Sequence, residues 1–102
     1  EKTDVSPIDL ATAELREETG LSASSMQQIG HLFLAYGYST QGYDVFFATG
    51  LEQASAQIEP EEEGLIAKAF DIQQVENMII NGEIKDATTV AALGLLKMKG
   101  LI

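Results

Sequence analysis

Glu14, Glu17 and Glu18 stand within about one turn of each other in a stretch of good helix formers, Ala13-Glu14-Leu15-Arg16-Glu17-Glu18-Thr19-Gly20-Leu21. Residues four apart stack on one face of a helix, so Glu14 and Glu18 share a face and Glu17, three from Glu14, borders it. Three like charges with Cβ atoms about 5–6 Å apart repel, and only Arg16 is near enough in sequence to offset them. A divalent cation turns that repulsion into binding. Mg²⁺ takes oxygen ligands, and one or two carboxylates typically hold it together with waters and substrate phosphates. On spacing alone two readings stand, a metal site and a solvated acidic helix face.

The helix that must carry these acids has clear ends. Ser6 is a good N-cap, Pro7 suits the first helical position, and Asp9 favours the positive helix end. Ile8, Ala11 and Leu15 give one apolar stripe, and Gly20 supplies a left-handed stop, so a helix is predicted over 6–19. Gln28 to Tyr36 and Tyr43 to Thr49 are rich in aromatic and aliphatic residues without a helical repeat. They read as strands over about 28–36 and 43–50, joined by the glycine-bounded loop Gly37 to Gly42. Glu59-Pro60-Glu61-Glu62-Glu63-Gly64 is an acidic loop, followed by a third short strand over about 65–70. Asp71 and Gln74 form a capping-box pattern before a helix over about 72–81, and Asp86 caps a final helix over about 86–98. Gly94 interrupts that last helix, and Lys97 and Lys99 suit its negative end.

The chain of 102 residues is the size of one domain, and 45% apolar residues argue against wholesale disorder. Sixteen acidic against six basic residues give a formal charge of −10, which excludes a basic phosphate-tracking surface for nucleic acid and disfavours an anionic membrane. Anionic substrates stay open, because divalent cations bridge acids to phosphates. No run approaches the roughly 20 apolar residues of a transmembrane helix, and no signal peptide is visible, so a cytoplasmic protein is expected. Without cysteine there is no disulfide, thiol catalysis or Cys-ligated metal. His31, the one histidine, sits in an apolar strand and reads as structural. Tyr36, Tyr38 and Tyr43 flank the glycine loop, where packing and stacking on a base or ribose are the two readings.

The stretch from Ala13 to Leu21 resembles the distal half of the Nudix box, G-x5-E-x7-R-E-U-x-E-E-x-G-U with U aliphatic. It departs at one specified position, where Ala13 replaces Arg. Counting back places the motif's first Glu on Val5 and its leading Gly before residue 1, while one inserted residue brings Asp4 to the Glu position. The resemblance continues through the glycine loop, the acidic loop and Gly82-Glu83-Ile84-Lys85-Asp86-Ala87-Thr88-Thr89 at the entrance to the last helix. It is similar there to the ADP-ribose and nucleoside-diphosphate-sugar pyrophosphatase branch.

The resemblance implies an α+β fold, an α/β/α sandwich with a mixed sheet between helices, of which this chain is the C-terminal portion without the first strands. It implies a divalent-metal-dependent hydrolase using Mg²⁺ or Mn²⁺ to cleave the diphosphate of a nucleoside diphosphate linked to another moiety, ADP-ribose-like substrates being favoured. In it Glu14, Glu17, Glu18 and Glu63 are implied metal ligands, Glu61 the water-activating base, and Glu17 a third ligand or anchor for metal-bound water. Glu62 is not separable from its neighbours. Family members often dimerise, which leaves room for a homodimer. Because Ala13 cannot pair with a box carboxylate as the family's Arg does, either Arg16 or an outside group does so or metal affinity is reduced. The alternative is a non-catalytic Nudix-like domain that binds a nucleotide or a protein.

Overall fold

The computed structural model describes residues 5–54 and 67–102. The elements run α1 (Pro7–Thr19), β1 (Leu21–Phe33), β2 (Gly42–Gln53), α2 (Ile72–Ile80) and α3 (Ala87–Met98). Contacts divide the chain into two compact units, one comprising Glu1–Leu32 with Asp44–Ala67, the other Phe33–Tyr43 with Lys68–Ile102. The organisation is α+β. Among the described residues the sheet is the two-stranded antiparallel pair β1-β2.

In the first unit, the ends of α1 are set by local chemistry. The Ser6 hydroxyl accepts from the Asp9 N–H at 3.2 Å, and Pro7, which lacks an N–H, occupies the first turn where none is needed. Gly20 turns the chain at φ 76°, a value that costs an L-residue strain, and its N–H returns to the Arg16 carbonyl at 2.8 Å. β1 then starts at once, earlier than residue 28. The small polar residues Ser22, Ser24 and Ser25 carry little strand preference, so pairing with β2 decides their conformation. Among the described residues, Ile29 on β1 and Val45 on β2 are the buried apolar residues of this unit. Gly50 lies inside β2 with φ 67°, and a Cβ added there would meet the Ser24 hydroxyl at 1.8 Å.

In the second unit, the segment 34–41 closes the hairpin. Tyr38 and Ser39 donate their N–H groups to the Ala35 carbonyl at 2.8 and 3.0 Å, which takes residues 34–36 out of the strand predicted to include them. Helices α2 and α3 turn Ile72, Val75 and Ile79 toward Val90, Leu93 and Gly94 around an apolar cavity of about 190 Å³, and Lys97 pairs with Glu76 across its rim. Asp71 occupies the N-cap of α2 but makes no side-chain cap bond, so the capping box read from Asp71 and Gln74 does not form. Asp86 does cap α3: its carboxylate accepts from the Thr89 N–H at 3.0 Å and the Thr89 hydroxyl at 2.7 Å. Those bonds to the charged form hold the Asp86 carboxyl below its ordinary range. The helix runs unbroken through Gly94. Of the third strand predicted, 65 and 66 lie outside the described residues and 67–70 are not strand; among the described residues β1 and β2 pair only with each other and no edge receives them.

Candidate functional site

The site is built on α1, whose sequence dictates both its start and its stop. Glu14, Glu17 and Glu18 all lie on it and all are exposed. The helical period keeps Glu14 and Glu18 on one face with Glu17 beside it. Among the described residues none of the three enters an ion pair. Glu61, Glu62 and Glu63 lie outside the described residues, as does Asp4.

Arg16 is not the orienting partner for these acids. Its Nη2 donates to the Ala54 carbonyl at 3.2 Å, so the guanidinium ties α1 to the end of β2. The gap left by Ala13 is therefore not filled by Arg16. Thr19 contributes at the same end of the helix, donating its hydroxyl to the Leu15 carbonyl at 2.6 Å and accepting from the Leu21 N–H at 3.2 Å.

A cavity of about 310 Å³ opens beside the first half of α1, lined by Pro7, Leu10, Ala11 and Glu14 from the helix and by Asp44 and Phe46 from β2. Asp44 and Phe46, two apart on a strand, share the face that turns to this cavity, while Val45 between them points away. One oxygen of Asp44 receives both Gln28 Nε2 and His31 Nδ1, each at 2.9 Å. His31 is thus a cross-strand partner of a carboxylate, with half its side-chain surface open (50%).

Asp44 was missing from the predicted site. A single carboxylate has no spacing signature, and the available signal was its presence inside the aromatic run Tyr43-Asp44-Val45-Phe46-Phe47. In the other unit, Tyr36 rests against Phe33 with ring centroids 4.8 Å apart, which is packing. Tyr38 is 96% exposed and Tyr43 is half-buried on β2.

Among the described residues no three His, Asp or Glu groups converge where they could hold a metal ion. The donor set on α1 fits a partial Mg²⁺ or Mn²⁺ site, since such an ion needs only one or two carboxylates when water and phosphate oxygens complete its shell. Among the described residues no helix is long and apolar enough to cross a membrane.

No family model matches the chain. Among curated proteins it is similar to the ADP-ribose pyrophosphatase of Mycobacterium tuberculosis, with 32% identity over 84 residues that make up 81% of this chain and 41% of that protein. Its fold matches the crystal structure of an ADP compounds hydrolase with a TM-score of 0.75 and 25% identity, over 95% of this chain and 54% of that one. The chain spans about half the length of the relatives it matches. The box residues along α1, the order of helix, hairpin and two helices, and both of these likenesses bear out the resemblance of this chain to the Nudix family.

Proposed function

We propose that this chain is part of a divalent-metal-dependent hydrolase that cleaves the diphosphate of a nucleoside diphosphate linked to a second moiety, with ADP-ribose-like compounds as substrates. The observation that carries the reading is the placement of Glu14, Glu17 and Glu18 on one exposed turn and a half of α1, with no ion pair to any of them among the described residues. The names of the two relatives, a pyrophosphatase of ADP-ribose and a hydrolase of ADP compounds, support the substrate class.

In this reading Glu14 and Glu18 supply ligand oxygens, and Glu17 is a third ligand or accepts from a metal-bound water. Mg²⁺ or Mn²⁺, when bound, would neutralise the diphosphate and lower the barrier to attack by water. Glu63 is proposed as a further ligand and Glu61 as the base that takes the proton of the attacking water. The rigid cap at Ser6 and the stop at Gly20 keep the carboxylates in fixed register, and positioning with electrostatic stabilisation accounts for most of the catalysis in phosphorus–oxygen cleavage.

The test is hydrolysis of a panel of ADP-ribose-like compounds by the intact protein with Mg²⁺, beside Glu18→Gln. Wild-type turnover lost by about 10²-fold or more in the variant supports the proposal. No turnover, or full activity in Glu18→Gln, overturns it. A second reading, a non-catalytic Nudix-like domain that binds a nucleotide or protein, draws on Ala13 at the box Arg position and on Arg16 being engaged with Ala54. Calorimetry finding nucleotide binding without a metal requirement would favour it.

A further inference from the structure

The last turn of α1 and the last residues of β2 meet at a three-bond clamp. The Ala54 N–H donates to the Gly20 carbonyl at 2.7 Å, and Gln53 Nε2 donates to the same carbonyl at 3.4 Å. Arg16 Nη2 donates to the Ala54 carbonyl at 3.2 Å. Both backbone polar groups of Ala54 are therefore held by the C-terminal end of α1. Arg16 sits in sequence among three glutamates, yet it forms no ion pair among the described residues and reaches a neutral carbonyl on another element. None of those glutamates is three or four residues from Arg16, so the guanidinium does not face them along its own helix and reaches across to Ala54 instead.

We propose that Arg16 is a positioning residue: by tying the last turn of α1 to Ala54 at the end of β2, it fixes how the helix that carries Glu14 and Glu18 is held against the hairpin. The inference rests on the proposed function for its catalytic consequence and on the clamp alone for its structural one. Groups that orient metal-binding residues from behind typically change metal affinity or activity by about 10–100-fold when removed. Ala54 and Arg16 belong to the same compact unit as Glu14 and Glu18, so the clamp acts within one body.

The experiment compares the wild-type chain with Arg16→Ala and Arg16→Lys by three measurements. The first is amide hydrogen exchange at Ala54, with Ile29 and Val45 as internal references. The second is Mg²⁺ binding by calorimetry, and the third is the Mg²⁺ dependence of ADP-ribose hydrolysis. In Arg16→Ala the Ala54 amide should exchange at least several-fold faster while the references hold. Mg²⁺ affinity and kcat should each fall by about 10-fold with KM little changed, and Arg16→Lys should recover part of each loss. Unchanged exchange at Ala54 overturns the clamp. Faster exchange with unchanged Mg²⁺ affinity overturns the positioning role and leaves a structural contact. A wild-type protein that hydrolyses nothing defeats the proposed function, while exchange and calorimetry still decide the role of Arg16. If Arg16→Ala does not fold, Arg16→Gln replaces it with the same expected directions.

Discussion

His31 Nδ1 lies 2.9 Å from Asp44 Oδ1, across the pair of strands, and it shares that oxygen with Gln28 Nε2. The carboxylate is thereby tethered from β1 while its strand face turns to the cavity beside Glu14. Side chains opposite one another on an antiparallel pair interact with modest energy, and exposed ion pairs are worth about 0.2–1 kcal/mol. A double-mutant cycle of His31→Ala and Asp44→Asn should therefore give a coupling of about 0.2–1 kcal/mol in chemical denaturation. A coupling well above that range would mean the pair is far more shielded from water than its exposure indicates.

Gly50 should tolerate no side chain. Its φ of 67° penalises any L-residue, and a Cβ would stand 1.8 Å from the Ser24 hydroxyl and 2.9 Å from Ser24 Cβ. The dihedral alone costs about 1–2 kcal/mol, to which the clash adds. Gly50→Ala should lower the unfolding free energy by at least that amount, read from chemical denaturation, and adding Ser24→Gly should recover the part due to the collision. Equal stability of the single and double variants would show that the dihedral carries the whole cost.

How much of this was legible in the sequence differs by element. Ser6, Pro7 and Gly20 mark α1 because caps act locally, through hydrogen bonds within three or four residues. The start of β1 at Leu21 was not legible, since residues 21–27 lack strand preference and are held by a partner far along the chain. Asp71 and Gln74 matched a capping pattern that the backbone does not use, whereas Asp86 matched one that it does. At the site, Glu14, Glu17 and Glu18 stood out because helical spacing is a sequence property. Asp44 and the Arg16 contact did not, because both depend on residues that only folding brings together.

Gly94→Ala should stabilise the second unit. Gly94 sits inside α3, and a Cβ built there meets nothing within 4 Å. Glycine in a helix interior costs about 0.5–1 kcal/mol relative to alanine, through the greater freedom it has when unfolded. The expected result is a rise of a few degrees in melting temperature, roughly 4–8 °C per kcal/mol for a domain of this size. A fall would mean that α2 and α3 pack more closely at Gly94 than the open space beside it implies.

The cap of α3 should give stability a dependence on acid. Thr89 donates two hydrogen bonds to the Asp86 carboxylate, chiefly through its hydroxyl, and these hold the folded-state pKa below the ordinary value of 3.8. A depressed carboxyl pKa means the unfolded chain binds the proton more readily than the folded one, so stability rises with pH across the interval between the two values. The contribution is fully present above the unfolded pKa and is lost as pH falls through the folded one. Asp86→Ala should therefore melt below the wild type at neutral pH, and the gap should narrow as the pH is lowered past the ordinary carboxylate range. Asp86→Ser keeps an N-cap acceptor without the titrating charge, so it should stay closer to the wild type at neutral pH and lack the acid-dependent step. A gap between wild type and Asp86→Ala that holds constant from neutral pH down to about pH 2 would show that packing at the start of α3, and not the charged cap, sets the difference.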